Sequence, residues 1–178
     1  MIVISKLYSL IDECFYRLLM KTPSVFPVRW RKVVAQYFPD ARVRKLYWAT
    51  LNVFMGEGTY ANPGLTVVNN MSDNCKILIG NNVSIAPNVV IVTDSAPNNA
   101  KILCNVTYVR DRLILQMPVV VEDEAWLGAG VIILPGVVVG KGAIIGAGSV
   151  VVNDIPPFSI AVGAPAKVIR TLTLETSS

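Results

Sequence analysis

A chain of 178 residues, 53% hydrophobic and 16% charged, is too apolar for disorder and long enough for one compact domain with a small appendage. Its net charge of +4 is mild and no Lys/Arg-rich run exists. That argues against a nucleic-acid partner and suits small molecules that carry phosphates.

In chain order, Met1 to Met20 is apolar but interrupted by Lys6, Asp12, Glu13 and Arg17. The run is too short to span a bilayer, and no small-residue cleavage site follows a charged start. It reads as a helix that stays on the protein, with an amphipathic membrane-surface role as the lesser reading, and membrane association is not expected. Residues 1–48 as a whole predict two or three helices, broken near Pro23 to Pro27. Cys14, Cys75 and Cys104 show no spacing pattern, so they read as free thiols of a reducing compartment. With no histidine anywhere in the chain, no metal site is expected.

From Ile79 onward an aliphatic residue returns every sixth position: Ile79, Ile85 and Ile91, then Val121, Leu127, Ile133, Val139, Ile145 and Val151. Four positions later sits a small or β-branched residue, as at Val83, Val89, Ser95, Ala125, Ala143, Ser149 and Ile155. An earlier, weaker register runs through Met55, Ala61 and Val67. A period of six fits neither a helix at 3.6 nor a strand at 2. It fits one short strand plus one turn, which is one side of a triangular prism. Three sides make one coil, and stacked coils place every sixth side chain in an interior column. Gly80, Gly128, Gly140 and Gly146 follow the aliphatic position. They are assigned to corners whose backbone adopts unusual dihedrals.

The expected fold is therefore an all-β solenoid over residues 49–170, preceded by the helical segment 1–48 and followed by a polar tail, 171–178. Residues 68–78 break the pattern briefly. Residues 96–118 break it at length, giving an extruded loop near 95–118, and such loops usually carry function.

Three stretches resemble the hexapeptide-repeat acyltransferase superfamily: IGNNVSIAPNVVIVTD, WLGAGVIILPGVVVGKGAIIGAGSVV and GAPAKVI. The resemblance covers about residues 55–170. It implies a left-handed parallel β-helix, an acyl-coenzyme A co-substrate, and a homotrimer with active sites between subunits. It also implies a cytoplasmic, bacterial enzyme. The stretch GEGTYANPGLTV is similar to one in sugar acetyltransferases, where it puts Asn62, and more weakly Asn69, against the acceptor. Pro63-Gly64 equally marks Asn62 as a turn residue. For coenzyme A the resemblance implies Gly128, Ala129, Ala147, Gly148 and Ser149 along the pantetheine arm, with Lys167 and Arg170 at phosphate. Packing alone also explains the small residues, and a solvated tail the cations.

The departures matter most. The superfamily's O-acetylating members carry a histidine near the end of the IAPNVVIVTD coil, where this chain has Ala96. A hydroxyl acceptor wants a base of pKa near 7, whereas a carboxylate titrates near 4. An amine acceptor needs positioning more than a base. The serine that resembles an oxyanion donor in some members is Ala129 here. The run VSIAPNVVIVTDSAPNN is similar to N-acyltransferases of nucleotide-linked 4-amino-4,6-dideoxy sugars. That resemblance places Asp94 and Ser84 at the amine. A capped turn is the competing reading of Asp94, and a small corner residue that of Ser84. Tyr108, Arg110 and Arg112 on the loop suit a nucleotide base and diphosphate, or a variable loop tip. Trp126 reads as outer-face packing and Glu122-Asp123-Glu124 as a solvated turn. An O-acetyltransferase with a non-histidine base, or a non-catalytic scaffold, are the competing functions.

Overall fold

In the computed structural model residues 2–173 are described, with side chains from residue 12 onward. Three helices come first: α1 (Ile2–Lys21), α2 (Val28–Tyr37) and α3 (Ala41–Ala49). Asp40 starts α3 by accepting hydrogen bonds from the backbone N–H of Arg42 at 2.7 Å and Val43 at 3.4 Å. The Arg42 guanidinium binds the same carboxylate and, with those backbone bonds, holds its pKa at about 2. None of the described helices is long and apolar enough to cross a membrane.

Four coils follow. The first is β1 (Val53–Met55), β2 (Tyr60–Ala61) and β3 (Thr66–Val68); the second is β4 (Ile77–Ile79), β5 (Ser84–Ile85) and β6 (Val90–Val92). After the loop come β9 (Val119–Val121), β10 (Trp126–Leu127) and β11 (Ile132–Ile133), then β12 (Val138–Val139), β13 (Ile144–Ile145) and β14 (Val150–Val151). Corresponding strands pair in parallel, so the chain visits three sheets in turn. This is a three-sided parallel solenoid, and it fits a left-handed β-helix. The inner columns are Ile79–Val121–Val139, Ile85–Leu127–Ile145 and Ile91–Ile133–Val151, all at most 4% exposed. The second inward residue of each side (Val83, Val89, Ala125, Val131, Val137, Ala143) is equally buried. Water is excluded from this narrow interior, and the burial is what stabilises strands of two or three residues.

The corners work differently from the sequence expectation. At most corners the left-handed residue stands three positions before the inward aliphatic: Gly58, Asn82, Asn88, Glu124, Gly130, Gly136, Gly142 and Gly148 all have positive φ. Gly80, Gly128, Gly140 and Gly146 do not. They are glycines because the next coil passes too close. A Cβ on Gly128 would lie 2.6 Å from the Ala147 nitrogen, and one on Gly140 2.5 Å from the Pro157 nitrogen. The final turn is also two residues short, so Ile155 pairs with Val139 and takes the inner-column place that the six-residue period gives to residue 157.

The N-terminal helices close the prism at its first coil. Tyr47, Trp48 and Leu51 are buried there. Arg44, 4% exposed, donates to the carbonyls of Pro39 at 2.7 Å and Ala61 at 2.8 Å. Its burial lowers its pKa, and the carbonyl set compensates the charge. At the other end β15 (Ser159–Gly163) continues the second sheet and folds back antiparallel as β16 (Ala166–Thr171). Strand therefore occupies the start of the stretch expected as a polar tail, while residues 174–178 lie outside the described ones.

The long loop leaves the third sheet as an antiparallel pair, β7 (Asp94–Ser95) and β8 (Leu115–Gln116), and carries the short helix α4 (Thr107–Arg112). Ser95 is exposed on this arm, unlike its inward-facing counterparts Val83 and Val89. Buried Thr93 anchors the base, its hydroxyl 3.3 Å from the carbonyls of Val68 and Cys75.

Candidate active site

Strand pairing on the second sheet aligns Tyr60, Ser84 and Trp126 on the outer face. Together with Asn62 and Ala86 they line an open cleft of about 320 Å³. Ser84 lies exposed between two aromatic side chains, Tyr60 at 44% and Trp126 at 56% exposure. Lys45 sits over the Tyr60 ring, 5.0 Å from its centroid, and donates to the Gly56 carbonyl. Asn62 donates its side-chain amide to the Ile85 carbonyl at 2.9 Å, which leaves its oxygen as the group to meet an acceptor. Tyr60 and Lys45 had no sequence signal. Their spacing follows no motif, and only the register brings Tyr60 beside Ser84. Trp126, expected as packing, is a wall of the cleft.

Asp94 lies on the other side of the same coil, where β7 leaves the third sheet, and does not line this cleft. Among the described residues its carboxylate meets the Gln116 side chain at 3.4 Å and caps no backbone N–H. One chain therefore does not bring Asp94 and Ser84 to a single cleft. Tyr108, Arg110 and Arg112 stand on exposed α4, with Arg110 paired to Asp111 at 3.2 Å. Asn69 is committed to the fold: its amide donates to the Leu51 carbonyl at 2.9 Å.

The corner between the second and third sheets carries a column of small residues. Ala129, Ala147 and Gly148 are exposed there, and the Gly148 N–H donates to the Ala129 carbonyl at 2.8 Å. No atom lies within 4 Å of a Cβ built on Gly130 or Gly148. The result is a shelf of small residues where the backbone is open to close approach. Gly128 serves coil packing, as above. Ser149 is 1% exposed, and its hydroxyl accepts from the Gly163 N–H at 3.0 Å. That corrects the cofactor role expected of its side chain, because it ties the closing hairpin to the last coil. Lys167 and Arg170 are both exposed on β16. A bulge opposite Ile160 and Ala161 adds one residue to β16 and so returns Arg170 to the same face as Lys167.

The acids at 122–124 do more than contact solvent. Glu122 accepts from Lys141 N–H and Asp123 from Asn81 N–H, each at 2.7 Å, and Glu124 accepts from the Asn82 side chain at 2.9 Å. They lace three coils together. Among the described residues no cluster of metal-ligating side chains forms.

A stacked solenoid with a shelf of small residues and an open cleft is the form of a hexapeptide-repeat transferase. The family model for bacterial transferase hexapeptides (six repeats) matches residues 118–153. Nodulation protein L of Rhizobium meliloti is 36% identical over 78% of this chain and 71% of its own length. Galactoside O-acetyltransferase of Escherichia coli K12 is 37% identical over 68% of this chain. Among solved structures, a maltose O-acetyltransferase of Clostridium difficile 630 superposes with a TM-score of 0.57 and 30% identity, covering 88% of this chain and 89% of that one. A galactoside acetyltransferase in complex with coenzyme A superposes at 0.55 with 35% identity over 68% of this chain and 56% of that one. The chain belongs to the hexapeptide-repeat transferase family. It spans between 54% and 60% of the length of the first curated relatives it matches. Relatives occur in yeasts as well as bacteria, so membership does not imply a bacterial source.

Proposed function

We propose that this chain transfers an acyl group from acyl-coenzyme A to the amine of an amino sugar, and that nucleotide-linked 4-amino-4,6-dideoxy sugars are the acceptor class. The observation that carries the reading is the missing histidine: the chain has none, and Ala96 stands where the family resemblance would put an imidazole base. Two of the proteins named above are a galactoside and a maltose O-acetyltransferase, which supports a carbohydrate acceptor. The departure concerns the nucleophile. A neutral amine attacks the thioester carbonyl directly, giving a tetrahedral intermediate. Its collapse breaks the C–S bond and leaves an amide. The proton lost from nitrogen goes to the departing thiolate or to Asp94. Orientation supplies most of the rate.

On this reading pantetheine lies along Ala129, Ala147 and Gly148, and Lys167 with Arg170 meets phosphate. The acceptor ring packs between Tyr60 and Trp126, with Ser84 and the Asn62 oxygen as hydrogen-bond partners. Because Asp94 leaves a different sheet, a partnership with Ser84 calls for a second copy, as in the trimer of this reading. Apolar Phe54, Leu78 and Val120, in register on the outer face of the first sheet, suit a subunit contact. Tyr108 and Arg110 then reach a nucleotide in the neighbouring site. The test is thiol release from acetyl-coenzyme A with dTDP-amino sugars, galactosides and maltose offered separately. Turnover with the amino sugars supports the reading, and turnover confined to hydroxyl acceptors refutes it.

A further inference from the structure

The N-terminal cap carries a surface that neither the solenoid nor the proposed chemistry uses. Between Cys14 and Pro39 the chain has five cations (Arg17, Lys21, Arg29, Arg31 and Lys32) and no acid. On α2, at 100° per residue, Ala35 points inward and is fully buried, and Arg31 beside it donates to the Thr50 carbonyl at 3.2 Å. The opposite face holds Trp30, Val33 and Tyr37, which are 63%, 51% and 61% exposed. Exposed Arg29 and Lys32 run along one edge of these three. Val25, 77% exposed, extends the apolar patch just before the helix.

We propose that the outer face of α2 docks on the surface of an anionic phospholipid bilayer. The chemistry selects this occupant. Tryptophan and tyrosine settle where apolar tails meet headgroups, and lysine and arginine pair with anionic headgroups. A subunit contact or a neutral protein groove would not call for a stretch of 24 residues, 15–38, free of acids. Docking is in the plane of the interface, since the helix has only ten residues. The sequence places its lesser membrane-surface reading on the first twenty residues, where the apolar signal is stronger, and not on α2. Only the fold shows that Trp30, Val33 and Tyr37 share the unburied side.

The test is flotation of the full chain with vesicles of phosphatidylcholine alone and of phosphatidylcholine mixed with phosphatidylglycerol. Binding to the anionic vesicles, weakened by salt, is expected, with a blue shift of tryptophan emission. The triple variant Trp30→Ser, Val33→Ser, Tyr37→Ser should lose about a hundredfold in partitioning and abolish the shift. Arg29→Glu with Lys32→Glu should lose about tenfold or more. Both variants should keep the melting temperature and acyl transfer of the parent. No binding to anionic vesicles at low salt overturns the proposal. So does binding that the triple variant leaves unchanged, or a triple variant whose only change is a smaller assembly.

Discussion

Replacing Gly128 by alanine tests how closely the coils stack. The new Cβ would sit 2.6 Å from the Ala147 nitrogen and 2.8 Å from the Ile145 carbonyl oxygen, both main-chain atoms. Neither can rotate away, and the Gly128 N–H already donates to that carbonyl at 2.9 Å. The fourth coil must shift against its own hydrogen bonds, at about 2–3 kcal/mol. Gly130→Ala is the matched control two residues on. Its Cβ meets nothing within 4 Å, so only the left-handed backbone at φ +68° opposes it, at about 1 kcal/mol. For a chain of this size each kcal/mol lowers Tm by about 2–4 °C. Calorimetry at equal protein concentration should show Gly128→Ala melting about 4–12 °C below the parent and Gly130→Ala about 2–4 °C below. Equal losses would refute close backbone approach as the reason for the glycine.

Three further outcomes are expected. Asp94→Asn should lower kcat with amine acceptors by about tenfold or more, without changing the assembly's mass by light scattering; an unchanged rate removes Asp94 from the mechanism. Lys167→Ala with Arg170→Ala should raise KM for acetyl-coenzyme A about tenfold, yet leave KM for a pantetheine thioester lacking phosphates unchanged; equal effects on both donors would move these cations off the phosphates. Asp40→Ala should lose about 1 kcal/mol of stability at neutral pH. The Asp40 pKa is depressed in the fold to about 2 against about 3.9 when unfolded. Its stabilisation is therefore complete above about pH 4 and lost as pH falls toward 2, so parent and variant denaturation midpoints should converge over that window.

The solenoid was legible because its interior is narrow. Every sixth residue from Val121 to Val151 faces the same dry interior, one prism side after another, and the period records that directly. The corners were less legible, because two different constraints both select small residues. Gly128 answers a close approach and Gly130 a left-handed backbone, yet both read as glycine near a turn. Asn82, Asn88, Glu124 and even Phe158 also occupy left-handed positions, so no single residue type marks them. The inner-column place of Ile155 breaks the six-residue period, because the turn before it is two residues short and the inner column meets the chain early. At the site, Ser84, Asn62 and the shelf were visible as motifs. Tyr60 and Trp126 form walls, and Lys45 covers the Tyr60 ring, through register and packing across coils, which spacing along the chain does not encode. Ser149 reads as a small polar site residue, but its environment, under the closing hairpin, exists only once that hairpin folds back.

The most direct measurement compares two acceptors that differ in one atom: the same nucleotide-linked sugar bearing an amine or a hydroxyl at the reacting carbon. Offered with acetyl-coenzyme A over a range of pH, the amine should be acylated with a kcat/KM greater by a factor of about a hundred or more, the scale of an absent general base. Its rate should climb with pH as the free amine accumulates. Comparable acylation of both sugars would mean that this histidine-free chain activates oxygen after all, and would contradict the account.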